Sequence, residues 1–167
     1  MTNTLFISDA YIKQFTPVGG LVEWSDLEPS VRSTQDSYIQ DILGSNFYNY
    51  IVSQYEAQAL TADEIILMEH IKPALAHRGA EQALVVVHYQ IKNKGVMTQS
   101  GDYAAAIELD EFKYLRNELA NRAEFYEKRL SVYLCDNRLL FPQYITDNTD
   151  DMKPHAGGYN NCGLSFL

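Results

Sequence analysis

Residues 112–133 read FKYLRNELANRAEFYEKRLSVY. Phe112, Leu115, Leu119, Ala123, Tyr126, Leu130 and Tyr133 recur every three or four positions. That spacing returns them to one face of a helix with 3.6 residues per turn, while Lys113, Arg116, Glu118, Arg122, Glu124, Glu127 and Lys128 fill the other faces. A helix this long with one apolar face must bury that face, and the sequence offers a partner upstream. Thr61-Ala62-Asp63-Glu64 has the form of a capping box, in which the Thr61 hydroxyl accepts from the Glu64 amide and the Glu64 carboxylate accepts from the Thr61 amide. The pattern then runs through Ile65, Met68, Ile71, Leu75, Ala80, Leu84, Val87 and Ile91, and is predicted to stop at Asn93-Lys94-Gly95, where glycine suits a left-handed cap. Pro73 lies inside it and predicts a kink or a split into two abutting helices. Two long helices joined by a polar loop make an antiparallel hairpin that needs further helices to cover it. The expected fold is therefore all-α, a helical bundle built on this hairpin.

The flanking sequence supplies the covering helices. Ser8 is placed to cap a short helix bearing Tyr11, Ile12 and Phe15, ended by Thr16-Pro17-Val18-Gly19-Gly20. Leu21, Val22 and Trp24 connect it to a helix capped by Asp26 or Glu28, with Pro29 in the first turn, where a missing amide costs little. Val31, Gln35, Tyr38, Ile39, Ile42 and Leu43 form its buried stripe and Gly44 closes it; another helix is expected over Asn46–Gln58. The inter-helix loop Lys94–Leu109, with a turn at Gln99-Ser100-Gly101-Asp102, is long for a bundle connection, and long loops tend to meet partners. After Leu140-Phe141-Pro142 the composition shifts to Asn, Asp and Gly, which divides the chain into a helical domain (1–145) and an extended C-terminal arm (146–167). The arm ends in the apolar tip Cys162-Gly163-Leu164-Ser165-Phe166-Leu167.

The totals narrow the function. A chain of 167 residues, 46% apolar and 21% charged, is expected to form one soluble domain with a core of its own. The N-terminus lacks the basic and apolar regions of a signal peptide, and no run approaches the length of a membrane span. Cys135 and Cys162 form no metal or redox motif and are expected to be reduced thiols. The net charge is −9: residues 1–60 carry seven acids against two bases, residues 111–141 five acids against six bases. Such a chain is a poor free-standing DNA binder, because Lys and Arg supply most of that affinity. An acidic body suits DNA that must slide past without sticking.

No chemical motif stands out. His77 and Glu81 sit four apart on one helix, yet His70, His77 and His88 spread over several turns, so ordinary helical histidines are preferred to a metal site. Asp63-Glu64 follows helix N-terminal preference and Asp150-Asp151 lies in the arm; neither pair is read as acid/base machinery. There is no Walker loop, nucleophile elbow or dinucleotide fingerprint. The aromatics Tyr38, Phe47, Tyr48, Tyr50 and Tyr55 lie among acids and amides, which favours core or protein-interface packing over base stacking. Lys113, Arg116, Arg122, Lys128 and Arg129 are interleaved with glutamates and read as a solvated, ion-paired helix face. The expectation is a protein without enzyme activity, cofactor or metal.

Taken in order, Tyr38-Ile39-Gln40-Asp41-Ile42-Leu43-Gly44, Ile71-Lys72-Pro73-Ala74-Leu75-Ala76, Asn93-Lys94-Gly95-Val96, and Arg122-Ala123-Glu124-Phe125-Tyr126-Glu127-Lys128-Arg129-Leu130 with Tyr133-Leu134 resemble the head–tail connector proteins of tailed bacteriophages. The likeness is strongest to the neck-ring members of crAss-like and other phages of Bacteroidetes, and covers about residues 4–140. The resemblance implies a structural virion protein, all-helical, that assembles into a homo-oligomeric ring, a dodecamer, below the portal. Such a ring joins the capsid vertex to the tail, binds the portal and adjacent neck or tail proteins, and lets DNA pass through its lumen without sequence-specific contact. It implies a place in the virion neck, after assembly in the host cytoplasm, and no membrane partner. A second class of reading is a helical assembly factor or regulator that leaves the particle; a third is a small helical enzyme with an unmarked site. Within the ring reading, the loop residues Lys94, Gly95, Met97 and Tyr103 and the arm residues Tyr159, Leu164, Phe166 and Leu167 are the candidate subunit and partner contacts.

Overall fold

Two helices, α5 (Ala62–His88) and α6 (Leu109–Asp136), form the centre of the molecule. The computed structural model describes residues 4–19, 22–92, 95–98, 109–145 and 151–154. The capping box at the start of α5 is formed: the Thr61 amide donates to Glu64 Oε2 at 2.8 Å and the Glu64 amide donates to Thr61 Oγ1 at 3.3 Å. From there α5 continues through Pro73 as a single helix, without the split that the proline suggested. It buries Leu67, Ile71, Ala74, Leu75, Ala76, Ala80 and Ala83, while α6 buries Phe112, Leu119, Ala123, Leu130 and Leu134. His70 stacks on Tyr133, His77 on Tyr126, and Glu81 bonds Arg116, so numbers rise along α5 as they fall along α6. The pair is antiparallel. Small residues on α5 (Ala74, Ala76, Ala80, Ala83) leave room for the larger side chains of its neighbours, as close-packed interiors require.

The end of α5 departs from the expected helix. It stops at His88, and the chain turns into an antiparallel ribbon of β1 (Tyr89–Lys92) and β2 (Gly95–Thr98). Tyr89 pairs with Thr98, Gln90 with Met97, Ile91 with Val96 and Lys92 with Gly95. Ile91 therefore belongs to a strand, and Gly95 is a strand residue, not a helix cap. The physical reason is visible in composition: Tyr89, Ile91 and Val96 favour extended backbone, and two residues separate the runs, the spacing of a tight hairpin. The turn expected at Gln99–Asp102 lies outside the described residues.

An N-terminal layer covers the pair. Ser8 caps α1 (Asp9–Phe15), its hydroxyl accepting from the Tyr11 amide, and Thr16 closes it. Next, α2 (Trp24–Thr34) begins at Glu23, earlier than expected, which puts Pro29 inside the helix and not in its first turn. The lost backbone bond is offset by burial of Leu27 and Val31, with Trp24 also packed on the core. Gly79 of α5 makes this contact close: a Cβ there would lie 3.2 Å from Val31 Cγ2. The backbone then passes through a π-helical turn, Gln35–Ile39, into α3 (Gln40–Leu43), and Gly44 breaks the run with φ 75°.

The extra residue of that turn changes what faces inward. Gln35 and Ile39 are buried, but Tyr38, expected in the buried stripe, is exposed. Gln35 becomes a polar hub: its Oε1 accepts from the Phe6 amide at 2.9 Å, and its Nε2 donates to the Thr4 carbonyl at 2.9 Å and to Tyr48 Oη at 3.0 Å. Burial, the largest cause, pushes the Tyr48 hydroxyl up to about 12. The hydroxyl donates in turn to Asp36 Oδ1 at 3.1 Å.

α4 (Ser45–Glu56) buries Phe47, Tyr48, Ile51 and Val52. A 3-10 turn, Arg138–Leu140, and α7 (Pro142–Ile145) follow α6 and bring Phe141 into the core, its ring centroid 5.5 Å from that of Phe47. The described start of the arm is tied to the domain: the Ser45 amide donates to the Met152 carbonyl at 2.8 Å, and Ser45 Oγ donates to Asp151 Oδ2 at 2.7 Å. Cys135 is disulfide-bonded and not the reduced thiol expected; Cys162 lies outside the described residues. The described fold is all-α apart from the small ribbon, and none of its helices is long and apolar enough to cross a membrane.

Candidate interaction surfaces

The α5–α6 seam holds the densest polar chemistry of the described residues. Arg78, facing α6, donates from Nε to Glu127 Oε1 and from Nη2 to Glu127 Oε2, each at 2.7 Å. This two-pronged geometry matches guanidinium to carboxylate and is among the stronger polar contacts available. The hydrogen bond to Glu127 raises the Arg78 pKa further, so the guanidinium is charged at any working pH. Its Nη1 also lies 3.7 Å from Glu81 Oε2, and its carbon sits 4.7 Å from the centre of the Tyr38 ring. Glu81, itself buried, accepts from Arg116 Nε at 2.9 Å and from Gln82 Nε2 at 2.7 Å. One polar chain, buried at Arg78 and Glu81 and open at Arg116 and Tyr38, thus ties α5, α6 and the π-helical turn together.

Glu81 had been paired in the sequence with His77 as a possible ligand set; here its carboxylate serves two arginines. His77 instead stacks on Tyr126, ring centroids 4.7 Å apart and planes 6° apart, and His70 stacks on Tyr133 at 4.2 Å and 17°. Each has a buried Nδ1 without a hydrogen-bond partner. Burial lowers both imidazole pKa values, and Arg122 beside His77 and Arg129 beside His70 push in the same direction. Among the described residues no three His, Cys, Asp or Glu side chains converge to hold a metal.

Two open grooves flank the seam. One, of about 510 Å³, runs between Tyr38, Asp41 and Ile42 of the π turn and α3 and Glu124, Glu127 and Lys128 of α6. The other, about 480 Å³, is lined by Phe15, His77, Asn121, Arg122, Phe125 and Tyr126. The basic residues of α6 are only partly the local ion pairs expected. Lys113 meets Asp110 at 3.3 Å and Arg122 meets Glu118 at 3.9 Å within the helix, but Arg116 reaches across to Glu81.

Of the contact residues the sequence suggested, Gly95 and Met97 lie on β2, opposite Lys92 and Gln90. Lys94, Tyr103, Tyr159, Leu164, Phe166 and Leu167 fall outside the described residues. Sequence reasoning missed Arg78, Glu127 and the polar hub at Gln35, whose partners are 13 to 49 residues away and leave no local signature.

No curated protein and no solved structure matches the chain. A family model described as "Family of unknown function (DUF6712)" matches residues 39–152. Its span opens at Ile39 in the π turn, takes in the whole α5–α6 pair, and closes at Met152, where the arm bonds Ser45. With well over half of its length matched, the chain belongs to the DUF6712 family.

Proposed function

We propose that this chain is a structural subunit of a bacteriophage neck. It assembles as a homo-oligomeric ring, a dodecamer, below the portal, joins the capsid vertex to the tail, and leaves a lumen for DNA. The role is a scaffold's and involves no enzyme chemistry, metal or cofactor. What carries this reading is the order and spacing of the packing segments Tyr38–Gly44, Ile71–Ala76, Asn93–Val96 and Arg122–Leu130.

Three of those segments, Tyr38–Gly44, Ile71–Ala76 and Arg122–Leu130, are drawn together around Arg78. Tyr38 lies over Arg78, two residues past the Ile71–Ala76 segment, and Arg78 grips Glu127 inside Arg122–Leu130. These three segments, far apart in sequence, are therefore one packing unit. The acidic N-terminal layer supports the same role, since a negative surface does not hold DNA.

Quantitative analysis of purified virions of the encoding phage tests this reading. The expected result is the chain at a fixed copy number, equal to or a simple multiple of the portal's ring order. Its absence from mature particles would overturn the reading in favour of an assembly factor that leaves the particle.

A further inference from the structure

Cys135 takes part in a disulfide bond, and the chain holds one other cysteine, Cys162. Cys135 stands half-buried in the last turn of α6; Cys162 belongs to the C-terminal arm. Within one chain, a bond at Cys135 joins the arm to the end of α6.

The described contacts leave room for that closure. The arm is anchored where Asp151 and Met152 bond Ser45. Two residues past Ser45, the Phe47 ring lies 5.5 Å from that of Phe141, which lies 6.3 Å from that of Tyr133, two residues before Cys135. Anchor and cysteine thus share one end of the molecule. The ten residues from Met152 to Cys162 span about 33 Å when extended, longer than the path through those two ring contacts.

The bond also limits where the apolar tip can go. Leu167 follows Cys162 by five residues, so the tip stays within about 17 Å of the Cys162 backbone. Just past Cys135, Leu139 and Leu140 are 84% and 49% exposed. They offer apolar surface within reach of Leu164, Phe166 and Leu167.

A half-buried disulfide is open to exchange with a small thiol–disulfide couple. In closing, one cysteine thiolate attacks the small disulfide and expels a thiolate, and the other cysteine displaces the second. The couple ends as two thiols that carry away both electrons and both protons.

We propose that Cys135 and Cys162 form a redox latch that fastens the C-terminal arm to the end of α6, with Leu164, Phe166 and Leu167 seated on Leu139 and Leu140. Reduction opens the latch and frees the tip. This inference stands apart from the ring reading, because every contact in it lies within one chain.

Mass spectrometry of the full chain, equilibrated with a glutathione couple and then blocked with an alkylating reagent, tests the bond. The expected oxidised species is a 19.0 kDa monomer that takes up no alkyl group, with Cys135 joined to Cys162 in the peptide map. A dithiol reductant then yields two alkylated cysteines. Hydrogen–deuterium exchange tests the seat: the amides of residues 163–167 exchange at least about fivefold more slowly in the oxidised chain than in the reduced one. Cys162→Ser under oxidising conditions exchanges like the reduced wild type, with an unchanged helical circular dichroism spectrum. Leu139→Ser with Leu140→Ser keeps the bond and loses the protection. Free thiols at both positions in the oxidised chain, a bond between two chains, or tip exchange equal in the two redox states would overturn the proposal. So would a double leucine variant that keeps the protection.

Discussion

On its inward side α6 meets α5 through a bidentate ion pair and two ring stacks; on its outward side it leaves three large apolar residues in a line. The inward contacts are directional. Arg78 fits Glu127 only at one rotation and one height of the two helices, and His70–Tyr133 and His77–Tyr126 repeat that height one heptad apart. The outward face has bulk but no such directional contact among the described residues. The contrast teaches that one helix can fix the register of its own domain through directional contacts on one side and carry apolar bulk without them on the other.

Breaking the inward side should have the largest effect. Glu127→Ala leaves the buried Arg78 guanidinium without its main partner and is expected to cost about 3–5 kcal/mol, read as a large fall in Tm. The double variant Arg78→Met with Glu127→Leu removes both charges and should recover most of that loss; a double as unstable as the single would mean that apolar packing cannot replace the pair.

The ring stacks sharpen the comparison through pH. Both histidines have folded-state values below their ordinary 6.5, so the unfolded chain binds protons more readily than the folded one. Stability from this source is fully present above pH 6.5 and is lost as pH falls toward the lowered folded-state values. Tm measured from pH 8 down to 5 should fall over that window, and His77→Phe, which can keep the stack on Tyr126, should flatten the slope. An equally steep fall in the variant would assign the pH dependence elsewhere.

A smaller loss, about 1 kcal/mol, is expected for Thr61→Ala, which deletes one half of the capping box. Smallest of all is Tyr114→Ser on the outward side: thermal stability should stay within about 0.5 kcal/mol of wild type. A loss comparable to that of Glu127→Ala would mean that the outward side is core and erase the contrast.

These differences also explain what could be read from the sequence. The three-and-four spacing of Phe112 to Tyr133, the Ser8 cap and the Thr61–Glu64 box depend on near neighbours, and each is found in the structure. The π-helical turn was not legible, because one inserted residue leaves the sequence pattern nearly intact while swinging Tyr38 outward. The ribbon at Tyr89–Thr98 was hidden because Val87 and Ile91 also fit the helical spacing. Arg78 and Glu127 looked like surface charges, since helical pairing rules reach four residues and their partnership spans 49. The line Tyr114, Phe125, Val132 was present in the sequence but falls between charged residues that drew a solvated reading of the whole face.

The most direct test of the proposed neck-ring role is the light-scattering mass of this protein mixed with the portal ring of the phage that would encode it. A discrete complex carrying many copies of the chain on one portal is the expected result. A chain that leaves the portal mass unchanged, in a sample where the neighbouring neck proteins are also supplied, would contradict it.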